Sequence, residues 1–235
     1  MKLSFGKFAG GMIAIAALAA ALGCGGGSSN ARIRFVHGSP DAGAVDVTAA
    51  NLSIGTNLVF RNTASDVNVP SGPVDLAVRQ TGTSVTILNQ FVSTAAGERY
   101  TVFFTGFRFP GAGQPGAAYL VLTDDRSDPG ANNYRIRAVH VAPSFNTQAL
   151  DVYLTAFGAD LNTSQPAFTN LNYTGTSNYL QRTQGTTQIR VTPAGQKQPV
   201  LYDSGAVTYS AGQVRSVALL DGNPNITAVV LADRQ

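Results

Sequence analysis

Cys24 is the only cysteine in the sequence, and its surroundings give the thiol a use. Lys2 and Lys7 make a short positive start, residues 8–22 are apolar apart from small glycines, and Ala21-Leu22-Gly23 leads into the cysteine. The apolar run, roughly 15 residues, is shorter than the ~20 a membrane-spanning helix needs. With a small residue before the cysteine it reads as a lipoprotein signal peptide. Its leucine, Leu22, stands one place nearer the cysteine than in the commonest form. The thiol would become a thioether to diacylglycerol and the new N-terminus would be acylated, a durable multi-chain anchor. A lone cysteine also excludes a disulfide within the chain. Residues 25–30, Gly-Gly-Gly-Ser-Ser-Asn, read as a flexible tether. No Asp follows the cysteine to retain the protein at an inner membrane. The expected address is therefore a bacterial cell envelope, with the outer membrane or cell surface favoured and the membrane as a partner through the lipid.

Three other groups could do chemistry. His37 and His140 are the only histidines. They could be metal ligands or general bases, but each closes an alternating apolar series, Ile33-Phe35-His37 and Ile136-Ala138-His140. This favours a structural imidazole bonded to the following turn. Asp124, Asp125 and Asp128 cluster near Asn132 and Asn133 and are the calcium candidates; the alternative is a solvated acidic linker. Phe107-Arg108-Phe109 sits on a Gly/Pro-rich loop. Aromatics and arginine dominate binding hot spots, so this is the ligand-binding candidate; the alternative is packing on its own domain. The chain has no Gly-x-Ser-x-Gly, no Walker loop and no His-Glu-x-x-His. No catalytic residue, cofactor or enzymatic activity is therefore expected.

Positioning these residues falls to strands. Charged residues make up 12% of the chain and hydrophobic ones 44%, enough for a packed core, and with one Glu and three Lys the polar helix formers are nearly missing. Removing Lys2 and Lys7 from the 16 basic residues leaves 14 against 13 acidic ones, about +1, and the arginines are scattered. No nucleic-acid footprint follows.

The chain also repeats itself. Arg32-Ile33-Arg34-Phe35-Val36-His37-Gly38-Ser39-Pro40 matches Arg135-Ile136-Arg137-Ala138-Val139-His140-Val141-Ala142-Pro143. Val45-Asp46-Val47 matches Leu150-Asp151-Val152, Ala96-Gly97 matches Ala211-Gly212, and Leu122-Thr123-Asp124 matches Leu231-Ala232-Asp233. The order is kept while the offset drifts from 103 to 115. A period near 100 residues indicates duplicated domains. Val74, Leu76 and Val78, and Ile189 and Val191, alternate with polar or small residues as strands with one wet face. Residues 100–105 and 214–220 are further strands, and 120–122 and 229–231 read as buried ones. About seven short strands per copy predict an all-β chain of two tandem immunoglobulin-like β-sandwich domains. The expected divisions are a signal peptide at 1–23, the tether at 24–30, domains at 31–124 and 134–235, and a linker at 125–133. Because Asp46, Asp151, Arg34 and Arg137 alternate with apolar residues, they are expected to face away from the core and to pair, Arg34 with Asp46 and Arg137 with Asp151.

The repeat unit resembles the bacterial domain-of-unknown-function family 4397. The shared pattern is Arg-hydrophobic-Val-His-x-x-Pro followed by hydrophobic-Asp-Val, then an aromatic, Ser-x-Tyr, a Gly-led strand and Ala-Gly. Tyr173, Ser177, Tyr179, Gly185 and Ala211-Gly212 carry the later part in copy two. Copy one has Phe60, Ser65, Gly72 and Ala96-Gly97, with Val67 in place of the tyrosine. The resemblance covers nearly all of residues 31–235 and implies a fold and an exported habitat, with no activity. The expected role is a non-enzymatic binding, adhesion or scaffolding module, with a cell-surface protein or polysaccharide as partner. The alternatives are a carbohydrate-binding module, for which the lack of Trp is unfavourable, and an Asp-based hydrolase.

Overall fold

The computed structural model describes Met1 and residues 29–234; Cys24, the segment before it and most of the tether lie outside the described residues. The first repeat holds β1 (Asn30–His37), β2 (Val45–Ala49), β3 (Leu52–Leu58), β4 (Thr63–Pro70), β5 (Gly72–Gln80), β6 (Thr86–Thr94), β7 (Arg99–Thr105) and β8 (Ala118–Thr123). The second holds β9 (Asn133–His140), β10 (Leu150–Thr155), β11 (Phe168–Leu171), β12 (Leu180–Thr183), β13 (Gly185–Pro193), β14 (Tyr202–Tyr209), β15 (Val214–Asp221) and β16 (Ile226–Arg234). Each repeat has eight strands rather than about seven. The edge strand β12 is short and polar, and β4 opens on Thr-Ala-Ser-Asp, with only Val67 and Val69 alternating to mark it.

Each repeat is a sandwich of two four-stranded sheets. The orders are β3-β2-β5-β6 and β4-β1-β7-β8 in the first, and β11-β10-β13-β14 and β12-β9-β15-β16 in the second. β1 and β7 pair in parallel from Arg32↔Arg99 to His37↔Phe104, and β9 and β15 repeat this from Arg135↔Val214 to His140↔Leu219. Ile33, Phe35, Val47, Leu76, Val78, Val102 and Phe104 fill the first core. Ile136, Leu150, Val152, Ile189, Val191, Val217 and Leu219 fill the second. The turns between sandwich strands recur too. Gly97 and Gly212, of the matched Ala-Gly pairs, both sit at positive φ (80° and 81°), a conformation glycine adopts without strain.

A third core joins the repeats. Val36, Phe103, Val139, Val141, Ala218, Leu220 and Leu231 are buried together, with Leu120, Leu122 and Val229 against them. The β1 and β9 sheets therefore pack face to face, and the molecule is four sheets deep. This corrects the expectation for Arg34 and Arg137. Their strand face is not wet; it is the face on which the two repeats dock, and both arginines are buried.

The outer sheets also differ from expectation. In the second repeat, Tyr153, Arg190 and Thr192 point away from the core yet are buried. The Lys197 ammonium lies over the Tyr153 ring and donates to the Ser164 carbonyl, while Gly158 N–H bonds Gln188, so the longer segment after β10 wraps this face. The first repeat has no such cover, and Phe91 on β6 stands 75% exposed.

Candidate functional site

The motif residues account for the family pattern in structural terms. His37 Nε2 donates to the Gly43 carbonyl at 2.8 Å, and its Nδ1 accepts from Ser39 N–H. His140 Nδ1 likewise accepts from Ala142 N–H. Burial lowers both imidazoles, His140 to about 4 against a partial pull back from the Gln148 and Phe145 backbone. Both are neutral near pH 7. The family's aromatic packs edge-on against each, Phe60 on His37 and Tyr173 on His140. The histidines thus close their own turns, as their place in the apolar series implied.

Asp46 and Asp151 do not meet Arg34 and Arg137. Asp46 accepts from Asn57 N–H at 2.8 Å and from the Thr81 hydroxyl at 2.9 Å; Asp151 accepts from Asn170 N–H and Gly195 N–H, both at 2.8 Å. Each aspartate ties the strand after its own to a turn beyond. The backbone donors Asn57 and Asn170 both sit at positive φ. An aspartate outside the apolar core had backbone amides of the next strand within reach, and these took the place of the arginine.

The arginines meet other acids. Arg34 Nη2 donates to Asp233 at 2.6 Å and Nη1 to the Ala232 carbonyl at 2.7 Å, both in the other repeat. Arg137 Nη2 donates to Asp124 at 2.7 Å and Nη1 to the Thr123 carbonyl at 3.0 Å. Each guanidinium also bonds a hydroxyl of its own repeat, Thr101 or Ser216, which donates to that repeat's aspartate. Arg34 adds a bond to Asp124 at 3.0 Å, Arg99 pairs with Asp66 at 2.8 Å, and Tyr179 donates to Asp233 at 2.9 Å. Burial first, then Asp233, push the Asp124 carboxyl up to about 6, against the pull of Arg34 and Arg137. Three arginines face three aspartates here, so the cluster is balanced and its polar atoms are bonded to one another.

The calcium candidates separate accordingly. Asp124 belongs to this buried cluster, Asp125 pairs with Arg135 at 2.7 Å, and the Asp128 carboxylate pairs with Arg234 at 3.0 Å. Among the described residues no three acidic, His or Cys side chains converge as a metal site.

The loop from Phe107 to Phe109 is a built surface feature. Gly106 has φ +84°, and a Cβ there would meet the Gly116 carbonyl oxygen at 2.1 Å, so only glycine closes the loop's base. The Asp41 carboxylate accepts from Arg108 N–H at 2.7 Å and Phe109 N–H at 2.9 Å. Arg108 donates to Gln80 at 2.9 Å and lies over the Phe109 ring at 4.8 Å. Phe107 is half-buried and Phe109 remains 71% exposed. From the second repeat, Asn146 donates to the Gly113 carbonyl at 3.0 Å. Asp41 is the residue that reading the sequence missed. Its one signal was its place directly after the motif proline Pro40.

No curated protein matches the chain. Several solved structures overlap it at low similarity, among them the following two. One is a leucine-rich repeat protein from Bacteroides thetaiotaomicron, 11% identical with a TM-score of 0.22, over 80% of this chain and 26% of that one. This chain therefore spans about a quarter of its length. The other is CBMbc, a family 26 carbohydrate-binding module from Eubacterium rectale Amy13K in complex with maltoheptaose, 12% identical with a TM-score of 0.26, over 85% of this chain and 96% of that one. Neither overlap bears on what this chain binds. The family model described as domain of unknown function DUF4397 matches residues 31–153 and again 144–235. With the duplicated motif tied to matching roles in both repeats, the chain belongs to the DUF4397 family, as a tandem pair of its domains.

Proposed function

We propose that this protein is a lipid-anchored display module of the bacterial cell envelope, non-enzymatic, which presents the loop around Phe109 to a surface protein or polysaccharide. The observation that carries the reading is the loop itself. An acidic side chain holds two successive backbone N–H groups, and an arginine stacks on an aromatic ring that is left in water. A pre-ordered aromatic–arginine pair gives contact area at low ordering cost.

Its place in the fold agrees. The tether enters β1 at Asn30, and β7 runs parallel to β1 away from that end. The loop leaves β7 at the far end, after Thr105. Seven residues of strand at ~3.3 Å each separate tether and loop by roughly 20 Å. The motif histidines and aspartates hold turns and the buried arginines hold the repeats together, so these residues have structural duties that account for them.

The test is binding of the whole chain to intact cells, isolated envelope polymers and a polysaccharide panel. Phe109→Ala and Arg108→Ala are expected to lose binding to whichever surface the wild type holds, and Phe157→Ala, exposed in the second repeat, to keep it. Equal binding by Phe109→Ala and wild type would refute the role of the loop. In cells, Cys24→Ser is expected to move the protein from the membrane fraction to the soluble one.

A further inference from the structure

The two repeats are related by a near-symmetric exchange of partners, and in one place that symmetry breaks. Two residues before Arg137, Arg135 pairs with Asp125 at 2.7 Å, the residue after Asp124. The symmetry mate of Arg135 is Arg32, two residues before Arg34. The mate of Asp125 is the residue after Asp233, which is Arg234. An ion pair on one side of the junction is thus replaced by two arginines on the other.

These two arginines line one hollow of about 270 Å³, together with Arg99, Arg126 and Asp233. The Asp233 carboxylate is turned inward to Arg34, Ser216 and Tyr179. Arg99 is satisfied by Asp66 and by the carbonyls of residues 232 and 233. Arg234 pairs with Asp128, whose side chain is 64% exposed. Arg126 has only the Gly97 carbonyl, and the exposed Arg32 side chain has no polar partner among the described residues. Glu98 borders the adjoining hollow beside Arg32 and Arg126, and among the described residues it forms no ion pair with either. The hollow therefore carries unmatched positive charge on planar donors.

We propose that this hollow binds a phosphate group. Guanidinium forks match phosphate oxygens in geometry and charge. The hollow lies at the tether end, since Asn30 and Arg32 share the adjoining depression. Arg32 is eight residues from Cys24, at most about 28 Å of extended chain. The phosphodiester of a membrane headgroup is then the nearest source, and basic residues this close to an anionic surface bind it. Only this choice of source rests on the lipid anchor proposed above; the site itself does not.

The experiment is calorimetric titration of the whole chain in neutral detergent with inorganic phosphate, and separately with a short-chain, water-soluble phosphatidylglycerol, ionic strength held constant with NaCl. Binding is expected, tightest for the lipid phosphodiester. Arg32→Gln should weaken it about tenfold, the loss of one charge-assisted contact. Arg234→Asp, which offers Arg32 the acidic neighbour that Arg135 has in Asp125 and breaks only the exposed Arg234–Asp128 pair, should abolish binding while the fold is kept, read as a Tm within a few degrees of wild type. Arg182→Gln, in the second repeat away from the hollow, should bind as wild type. Binding of inorganic phosphate alone would support the site with a soluble phosphate as its source. No binding of either ligand by the wild type, or equal binding by Arg234→Asp, would overturn the proposal. Membrane fractionation of Cys24→Ser reads the anchor independently.

Discussion

Arg34 of the first repeat and Arg137 of the second exchange partners across the junction: Arg34 holds Asp233 at 2.6 Å and Arg137 holds Asp124 at 2.7 Å. The acids are the last residues of matched segments, so the duplication that produced two domains also produced the means of docking them. Removing one member of a buried, bonded ion cluster leaves charge without compensation and costs about 3–5 kcal/mol. Arg34→Leu is expected to lose that much in urea unfolding. Arg32→Leu, exposed and unpaired, should change stability by less than about 0.5 kcal/mol. Equal midpoints for the two variants would mean that the junction does not stabilise the fold.

Asp41 is expected to order the Phe109 loop without supporting the sandwich. Asp41→Ala leaves the Arg108 and Phe109 N–H groups without their acceptor. Both amides should then exchange with deuterium much faster, while β7 amides stay protected. Protection unchanged at Arg108 and Phe109 would show that the loop is held by something else.

The matched aspartates should differ in weight. Asp151 is 5% exposed and holds two backbone N–H groups, so Asp151→Ala removes two charge-assisted bonds made by a shielded carboxylate and should cost about 1–3 kcal/mol. Asp46 holds one backbone amide and a hydroxyl at a more open site, and Asp46→Ala should cost less. Chemical denaturation of the two variants side by side is the measurement.

Acid should weaken the fold through the histidines. His140 titrates near 4 when folded and near 6.5 when unfolded, so the unfolded chain binds the proton first. The stabilisation is fully present above pH 6.5 and is lost as pH falls from 6.5 to 4, about 3 kcal/mol at full effect. Asp124, pushed up to about 6, acts in the opposite direction, favouring the fold as pH falls through that value. Comparing His140→Gln with the parent at each pH removes the Asp124 contribution. The variant should show the smaller loss of stability between pH 7 and 4.5, and parallel pH curves would contradict the assignment.

The repeat and its strands were legible in the sequence because alternation marks a strand wherever one face is apolar, as at Val74-Leu76-Val78. The histidines were legible for the same reason. Arg34 and Arg137 were misread because a polar residue opposite an apolar face looks the same whether it meets water or a second domain. Arg34's partner Asp233 lies about 200 residues further along the chain, and Arg137's partner Asp124 lies 13 residues before it, across the boundary between the repeats, so no local pattern joins either pair. The loop at Phe107–Phe109 stood out by composition. Its clamp, Asp41, did not, since one aspartate after a proline is ordinary turn chemistry. The covered outer face of the second repeat was hidden in the extra length between Tyr153 and Asn172, whose sequence gives no sign of where it folds.

The most direct test of display from a lipid tether uses the single cysteine. Phe109→Cys places a thiol on the loop, and intact cells are treated with a membrane-impermeant maleimide. A lipidated Cys24 is a thioether and cannot react, so the parent protein should stay unlabelled while Phe109→Cys is labelled on intact cells. Labelling of the parent at Cys24, or no labelling of Phe109→Cys on intact cells, would contradict a lipid-anchored module that turns this loop outward.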